Sequence, residues 1–173
     1  ESFQLNADQN AALDAYLGKR FKGDFSMAGV RFWPEMNGLD AAFLEKAAKF
    51  EKIVPVFTNV IFDTSQVHAN TLFEHMFAWL EHVRATALNH PEILFVIRAH
   101  PDECRPGKES RESVAQWVAA THTADLPNVV FVDSGEFISS YELIQRSHLV
   151  LVYNSTIGLE ATLLGKPVLA GGK

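Results

Sequence analysis

From position 53 onward the chain alternates between short apolar runs and longer stretches in which apolar residues recur at helical spacing. The runs Ile53–Thr58, Ile93–Ala99, Val129–Val132, Leu149–Tyr153 and Val168–Ala170 predict strands. They are apolar at consecutive rather than alternate positions, as in a parallel sheet covered on both faces. Pro55 fits awkwardly, because proline withholds a ladder donor and is confined mainly to sheet edges. Between the runs, Thr71–Leu88 predicts a helix through Leu72, Met76, Trp79, Leu80 and Val83, stopped by Asn89-His90-Pro91. Glu109–His122 predicts the next, carrying Val114, Trp117 and Val118. Ser139 caps a predicted helix over Tyr141–Arg146. Asn154, Ser155 and Thr156 offer cap chemistry for a last helix over Gly158–Leu164, which Gly165 ends. Strands alternating with helices give an α/β fold, a doubly wound, Rossmann-like parallel sheet with right-handed crossovers.

The first fifty residues lie outside this rhythm. Within Glu1–Lys22, Asn6 or Asp8 can cap a helix whose stripe is Ala11, Leu13, Tyr16 and Leu17. Phe21–Gly38 holds Gly23, Gly29, Pro34 and Gly38 and reads as a loop or linker, with Phe25, Phe32 and Trp33 available to pack. Asp40–Phe50 predicts a short helix with Phe43, Leu44 and Ala47 on one face. The expected division is a helical lead-in over residues 1–50 and a Rossmann-like domain over 51–173.

Composition narrows the function classes. At 173 residues the chain can bury roughly 70% of its unfolded surface in one core. An apolar share of 47% excludes a disordered chain. No run approaches the ~20 apolar residues of a membrane span, and no signal peptide is visible. A net charge of −6 without a basic cluster argues against nucleic acid as a partner. The single cysteine, Cys104, rules out an internal disulfide and fits a reducing compartment. The sequence opens on Glu1 and closes on Lys173, directly after Gly171-Gly172, where such a sheet would usually run on into a loop and helix. A piece of a longer protein is expected.

The unusual polar residues collect where strands end, which is the ligand edge of a doubly wound sheet. The first strand ends in Thr58-Asn59 and runs on to Asp63; the second ends in Arg98-Ala99-His100-Pro101, with Glu103 just beyond. The fourth ends in Asn154-Ser155-Thr156. That last turn has two readings, an anion site built from backbone N–H groups and two hydroxyls, or an ordinary well-capped βαβ unit. Pro101 stiffens the turn after His100, so the imidazole can be aimed at a phosphate oxygen, act as an acid, or simply close a loop. Arg98, odd inside an apolar strand, can reach a phosphate or pair with Glu103 or Asp63. Glu160 lies one helical turn beyond Thr156 and can accept from a ribose diol. Without a ligand it would favour a helix N-terminus by ~0.3–1 kcal/mol. Gly158 costs roughly 0.5–1 kcal/mol relative to Ala in a helix, which suggests close approach of a ligand or another backbone.

Other chemistries find less support. His68, His75, His82 and His90 lack metal-ligand spacing, and no metal is expected. There is no dinucleotide fingerprint, P-loop or nucleophile elbow. Cys104 lies beside Asp102 and Glu103, without the electropositive setting of a reactive thiol.

Several stretches together resemble the capsule polysaccharide biosynthesis family. They are Thr58-Asn59-Val60-Ile61-Phe62-Asp63, Ile97-Arg98-Ala99-His100-Pro101-Asp102-Glu103, Ser139-Ser140-Tyr141, Tyr153-Asn154-Ser155-Thr156-Ile157-Gly158-Leu159-Glu160-Ala161 and Gly165-Lys166-Pro167-Val168. The resemblance runs from about Ile53 to Lys173; Phe62 stands where tryptophan is expected. It implies the C-terminal, nucleotide-sugar-binding half of a GT-B-type glycosyltransferase acting on a growing, lipid-linked glycan. By similarity, His100-Pro101 and Ser155-Thr156 would hold the donor phosphates and Glu160 the ribose. Thr58, Asn59 and Asp63 would line the interdomain cleft. The donor would be CMP-, UDP- or GDP-linked and no separate cofactor is implied. The acceptor, a glycan or glycolipid, would bind a missing N-terminal domain, in a cytoplasmic protein peripheral at the inner membrane. Three alternatives remain open: a nucleotide-sugar epimerase, a glycerophosphotransferase, and a non-catalytic capsule assembly or export component.

Overall fold

The computed structural model describes residues 4–22, 26–27, 30–31, 37–61, 68, 70–104, 107, 111–136 and 138–172. Helix α1 (Ala7–Phe21) comes first, closed at its start by an Asn6–Gln9 capping box. A two-stranded antiparallel ribbon, β1 (Ser26–Met27) and β2 (Val30–Arg31), falls where a loop is expected. Helix α2 (Ala41–Ala47) follows, with the Asp40 carboxylate accepting from the Phe43 amide as its cap. The main sheet comprises β3 (Lys52–Phe57), β4 (Ile93–Arg98), β5 (Val129–Val132), β6 (Val150–Val152) and β7 (Val168–Ala170). Between them lie α3 (Met76–Asn89), α4 (Val114–Ala120), α5 (Ser140–Arg146) and α6 (Ile157–Leu163).

All five strands are parallel, in the order β5-β4-β3-β6-β7. The chain therefore builds outward from β3 in one direction, then returns and builds outward in the other. Between β3 and β6 the order reverses, which makes the crevice at their carboxyl ends the topological switch point. Helices α3 and α4 cover one face through Met76, Trp79, Leu80, Val83, Val114 and Val118. The other face is covered by α5 and α6 through Leu143, Ile144 and Ala161, and also by Phe43 and Ala47 of α2. The lead-in thus contributes apolar side chains to the same core as the repeat.

Proline inside the central strand has a geometric explanation. The Thr58 amide donates to Arg98 in β4, whereas the Phe57 carbonyl accepts from Tyr153 on the β6 side. Backbone groups alternate sides along a strand, so the Pro55 nitrogen also faces β6. Registered pairing with β6 begins only at Val56 and Phe57. The missing donor falls just before the neighbouring strand starts, and no ladder bond of the β3–β4 pair is lost.

Two helices are shorter than their patterns predict. Helix α3 starts at Met76 rather than Thr71, because the His75 ring caps it by accepting from the Ala78 amide at 3.0 Å. Leu72, which extends the apolar spacing, is 76% exposed. Helix α4 starts after Ser113, whose hydroxyl accepts from the Gln116 amide while the Gln116 side chain returns to the Ser113 amide. It ends at Ala120, since His122 adopts a left-handed φ of 54°. Elsewhere Ser139 caps α5 and Gly165, at φ 74°, follows the end of α6, as the sequence predicts. No helix among the described residues is long and apolar enough to cross a membrane.

Candidate functional site

Side-chain alternation decides which residues of the strand ends can meet. Leu94 and Val96 of β4 point into the core under α2, α5 and α6, as do Phe57 of β3 and Val150 and Val152 of β6. Arg98 continues that face of β4 by one more step of two, past the apolar cover. There a cavity of about 180 Å³ opens. It is walled by Thr58 at the end of β3, by Arg98, His100 and Pro101 at the end of β4, and by Ser155, Thr156 and Glu160 beyond β6. Arg20, Ser140 and Tyr141 complete the polar lining.

Arg98 is only 4% exposed, and its Nη1 finds no hydrogen-bond partner among the described residues. Burial pushes its pKa down to about 10, against a small opposing pull from Glu136. It therefore remains a cation at neutral pH, and the alternative of an ion pair with Glu103 is not formed. His100 is oriented by its own turn: Nδ1 accepts from the Asp102 amide at 3.1 Å. In the neutral ring the proton then sits on Nε2, making it a donor. Thr58 supports this edge, its hydroxyl donating to the Arg98 carbonyl at 3.0 Å.

The turn after β6 departs from the capping expectation. Thr156 occupies the cap position of α6 but makes no side-chain cap bond. Neither its hydroxyl nor that of Ser155 is used by the described residues, and both line the cavity. Asn154 adopts a left-handed φ of 47°, and its carbonyl accepts from the Asn59 side chain at 2.7 Å. Asn59 and Asn154 thus tie the two strand ends across the switch point rather than line the cavity.

Two further candidates turn away from it. A side chain at Gly158 would meet Val152 at 3.1 Å and Val168 at 3.4 Å, so this glycine seats α6 on the sheet, close to side chains rather than to another backbone. Glu103 is buried behind the turn and accepts from the Val114 amide at the start of α4 through both oxygens at 3.3 Å. Asp63 and Phe62 lie outside the described residues.

Burial raises the Glu103 carboxyl to about 7; the Val114 amide opposes the shift and nearby Asp133 adds to it. A carboxyl with a raised folded pKa holds its proton in the native state where the unfolded chain has lost it. Its contribution to stability therefore falls as pH rises from about 4.5 to about 7, then levels off. Glu103→Gln is expected to remove that decline. Melting temperatures from pH 4 to pH 8 check it, and parallel curves for the two proteins would refute the assignment.

Glu160 is 6% exposed and both of its oxygens are engaged. Oε1 accepts from Arg20 Nε at 2.6 Å and from Arg20 Nη2, and Oε2 accepts from the Tyr141 hydroxyl at 2.7 Å. Burial lowers the Arg20 pKa, but the hydrogen bond and charge of Glu160 outweigh it and leave the group above its usual value. Burial, and then the bond to Glu160, push the Tyr141 phenol well above its usual value. Arg20 carries no sequence signal for this role, since 140 residues separate it from Glu160.

The family model for capsule polysaccharide biosynthesis protein matches residues 28–173. No curated protein matches the sequence. Among solved structures, the β-Kdo 2,4-transferase of Thermosulfurimonas dismutans KpsC aligns at 13% identity and a TM-score of 0.61, over 98% of this chain and 46% of that one. The β-Kdo 2,7-transferase of the same KpsC aligns at 23% identity and a TM-score of 0.46, over 78% and 42%. A putative UDP-N-acetylglucosamine 2-epimerase from Listeria monocytogenes aligns at 15% identity and 0.49, over 75% and 30%. The chain spans less than half the length of each of these structures, and the first of them shares its fold.

Proposed function

Since this chain belongs to the capsule polysaccharide biosynthesis protein family, we propose that its cavity holds the phosphate of a nucleotide-sugar donor for transfer of the sugar to a glycan or glycolipid. The observation that carries this reading is the buried Arg98 guanidinium whose Nη1 lacks a partner among the described residues. An unpaired buried donor of this kind costs free energy that an anionic ligand would return. His100 and the hydroxyl-bearing Ser155 and Thr156 line the same cavity and carry further donor groups.

Transfer breaks the bond between the sugar's anomeric carbon and a phosphate oxygen, and negative charge grows on that oxygen. Donors already fixed around it lower the barrier, because they need not reorganise as the charge appears. Arg98 supplies a full charge, and His100 a hydrogen bond held in direction by the Asp102 amide. The acceptor hydroxyl must lose its proton to a base; by the family resemblance that base comes from a further domain. The family resemblance implies a lipid-linked acceptor, which such a protein would meet at the cytoplasmic side of the inner membrane.

The test uses the full-length protein with CMP-, UDP- and GDP-linked sugars and a capsule glycolipid acceptor. Release of one nucleotide, dependent on the acceptor, is expected. If no nucleotide binds or is released, the cavity serves another ligand.

A further inference from the structure

Helix α1 has no buried residue, yet its last turn sends Arg20 into the cavity wall. The edge-on contact of Phe21 with Tyr141, at 5.5 Å between ring centres, holds the same end of the helix. Arg20 gives two of its N–H groups to one oxygen of Glu160, and Tyr16, one turn earlier, receives a third at 3.3 Å. A carboxylate oxygen accepts two hydrogen bonds, so Oε1 is saturated. Oε2, holding only the Tyr141 hydroxyl among the described residues, keeps one acceptor position.

This limits what Glu160 can do for a ligand. A freely turning carboxylate can take both hydroxyls of a vicinal diol, one on each oxygen. With Oε1 filled, Glu160 can take one. We propose that Arg20 is a positioning residue that restricts Glu160 to a single hydroxyl of the ligand's sugar ring, accepted through Oε2. The proposal rests on the donor-site reading above and adds a directional preference to it. Two Arg20 donors hold Oε1 and neutralise the charge, while the Tyr141 hydroxyl holds Oε2, so the carboxylate is anchored at both oxygens.

The test is calorimetric titration of the full-length protein with CMP, UDP and GDP and with the 2′-deoxy and 3′-deoxy form of each. For the nucleotide that binds, one deoxy form is expected to lose about tenfold or more in affinity, the cost of a hydrogen bond to a charged group. The other deoxy form should bind like the parent. In Arg20→Ala the carboxylate is free to turn, and the two losses should become similar. Equal losses in the wild type would overturn the inference while leaving the donor site standing, and would do so even if the variant failed to fold. An unchanged one-sided loss in Arg20→Ala would overturn it too. Absence of binding by every nucleotide would sink the donor-site reading and this one with it.

Discussion

Arg98→Met is expected to lower nucleotide affinity by about a hundredfold or more while leaving the melting temperature unchanged or higher. The two effects have one cause. Within the chain itself the guanidinium is buried, its pKa is depressed to about 10, and Nη1 has no partner among the described residues. Such a group costs stability, and an apolar side chain of similar length relieves that cost. In the loaded protein the same guanidinium would meet a phosphate. Removing one partner of a desolvated charge pair typically costs 2–5 kcal/mol, of which 2.7 kcal/mol is about a hundredfold. Calorimetry with CMP, UDP and GDP alongside thermal unfolding reads both. Wild-type affinity in the variant, or affinity lost together with the fold, would show that Arg98 is a structural cation.

His100→Ala is expected to slow sugar transfer by ~10²-fold or more with little change in melting temperature, the scale of losing one fixed donor at a developing negative charge. His100 is half-buried, and its bond to the Asp102 amide lies within its own turn. His100→Gln keeps an amide donor near the Nε2 position and should recover part of the rate. Transfer is measured as acceptor-dependent nucleotide release. A rate unaffected by either substitution would mean that the imidazole only closes the turn.

The sheet was legible because its strands are continuous apolar runs, a pattern that burial on both faces imposes. Pro55 looked like an objection only because the sequence does not say where β6 begins. Helix starts were less legible for a related reason. Leu72 fits the apolar period of α3 yet is exposed, and the cap is an imidazole, His75, which no common start signal anticipates. The Ser113–Gln116 capping box, by contrast, was there to be read. At the site, sequence reasoning found residues that stand at strand ends, namely Thr58, Arg98, His100, Pro101, Ser155 and Thr156. It did not show contacts that depend on neighbours from elsewhere in the chain. Gly158 packs on Val152 and Val168, Asn59 reaches Asn154, and Arg20 reaches Glu160 across 140 residues. Only the folded chain brings these pairs together.

The switch point also has a place in time. Thr58 and Arg98, joined across β3 and β4, are 40 residues apart, whereas Asn59 and Asn154, joined across the β3–β6 seam, are 95 apart. Closing the longer loop costs more chain entropy, and contacts of high sequence separation form slowly. The β3-β4-β5 block can therefore assemble before β6 and β7 dock against it. The cavity straddles that seam and exists only once it has closed. A bound nucleotide would grip both blocks at once, so its effect should fall on the unfolding rate rather than the folding rate. The protein would then be most exposed to proteolysis while its site is empty, and least while it is at work.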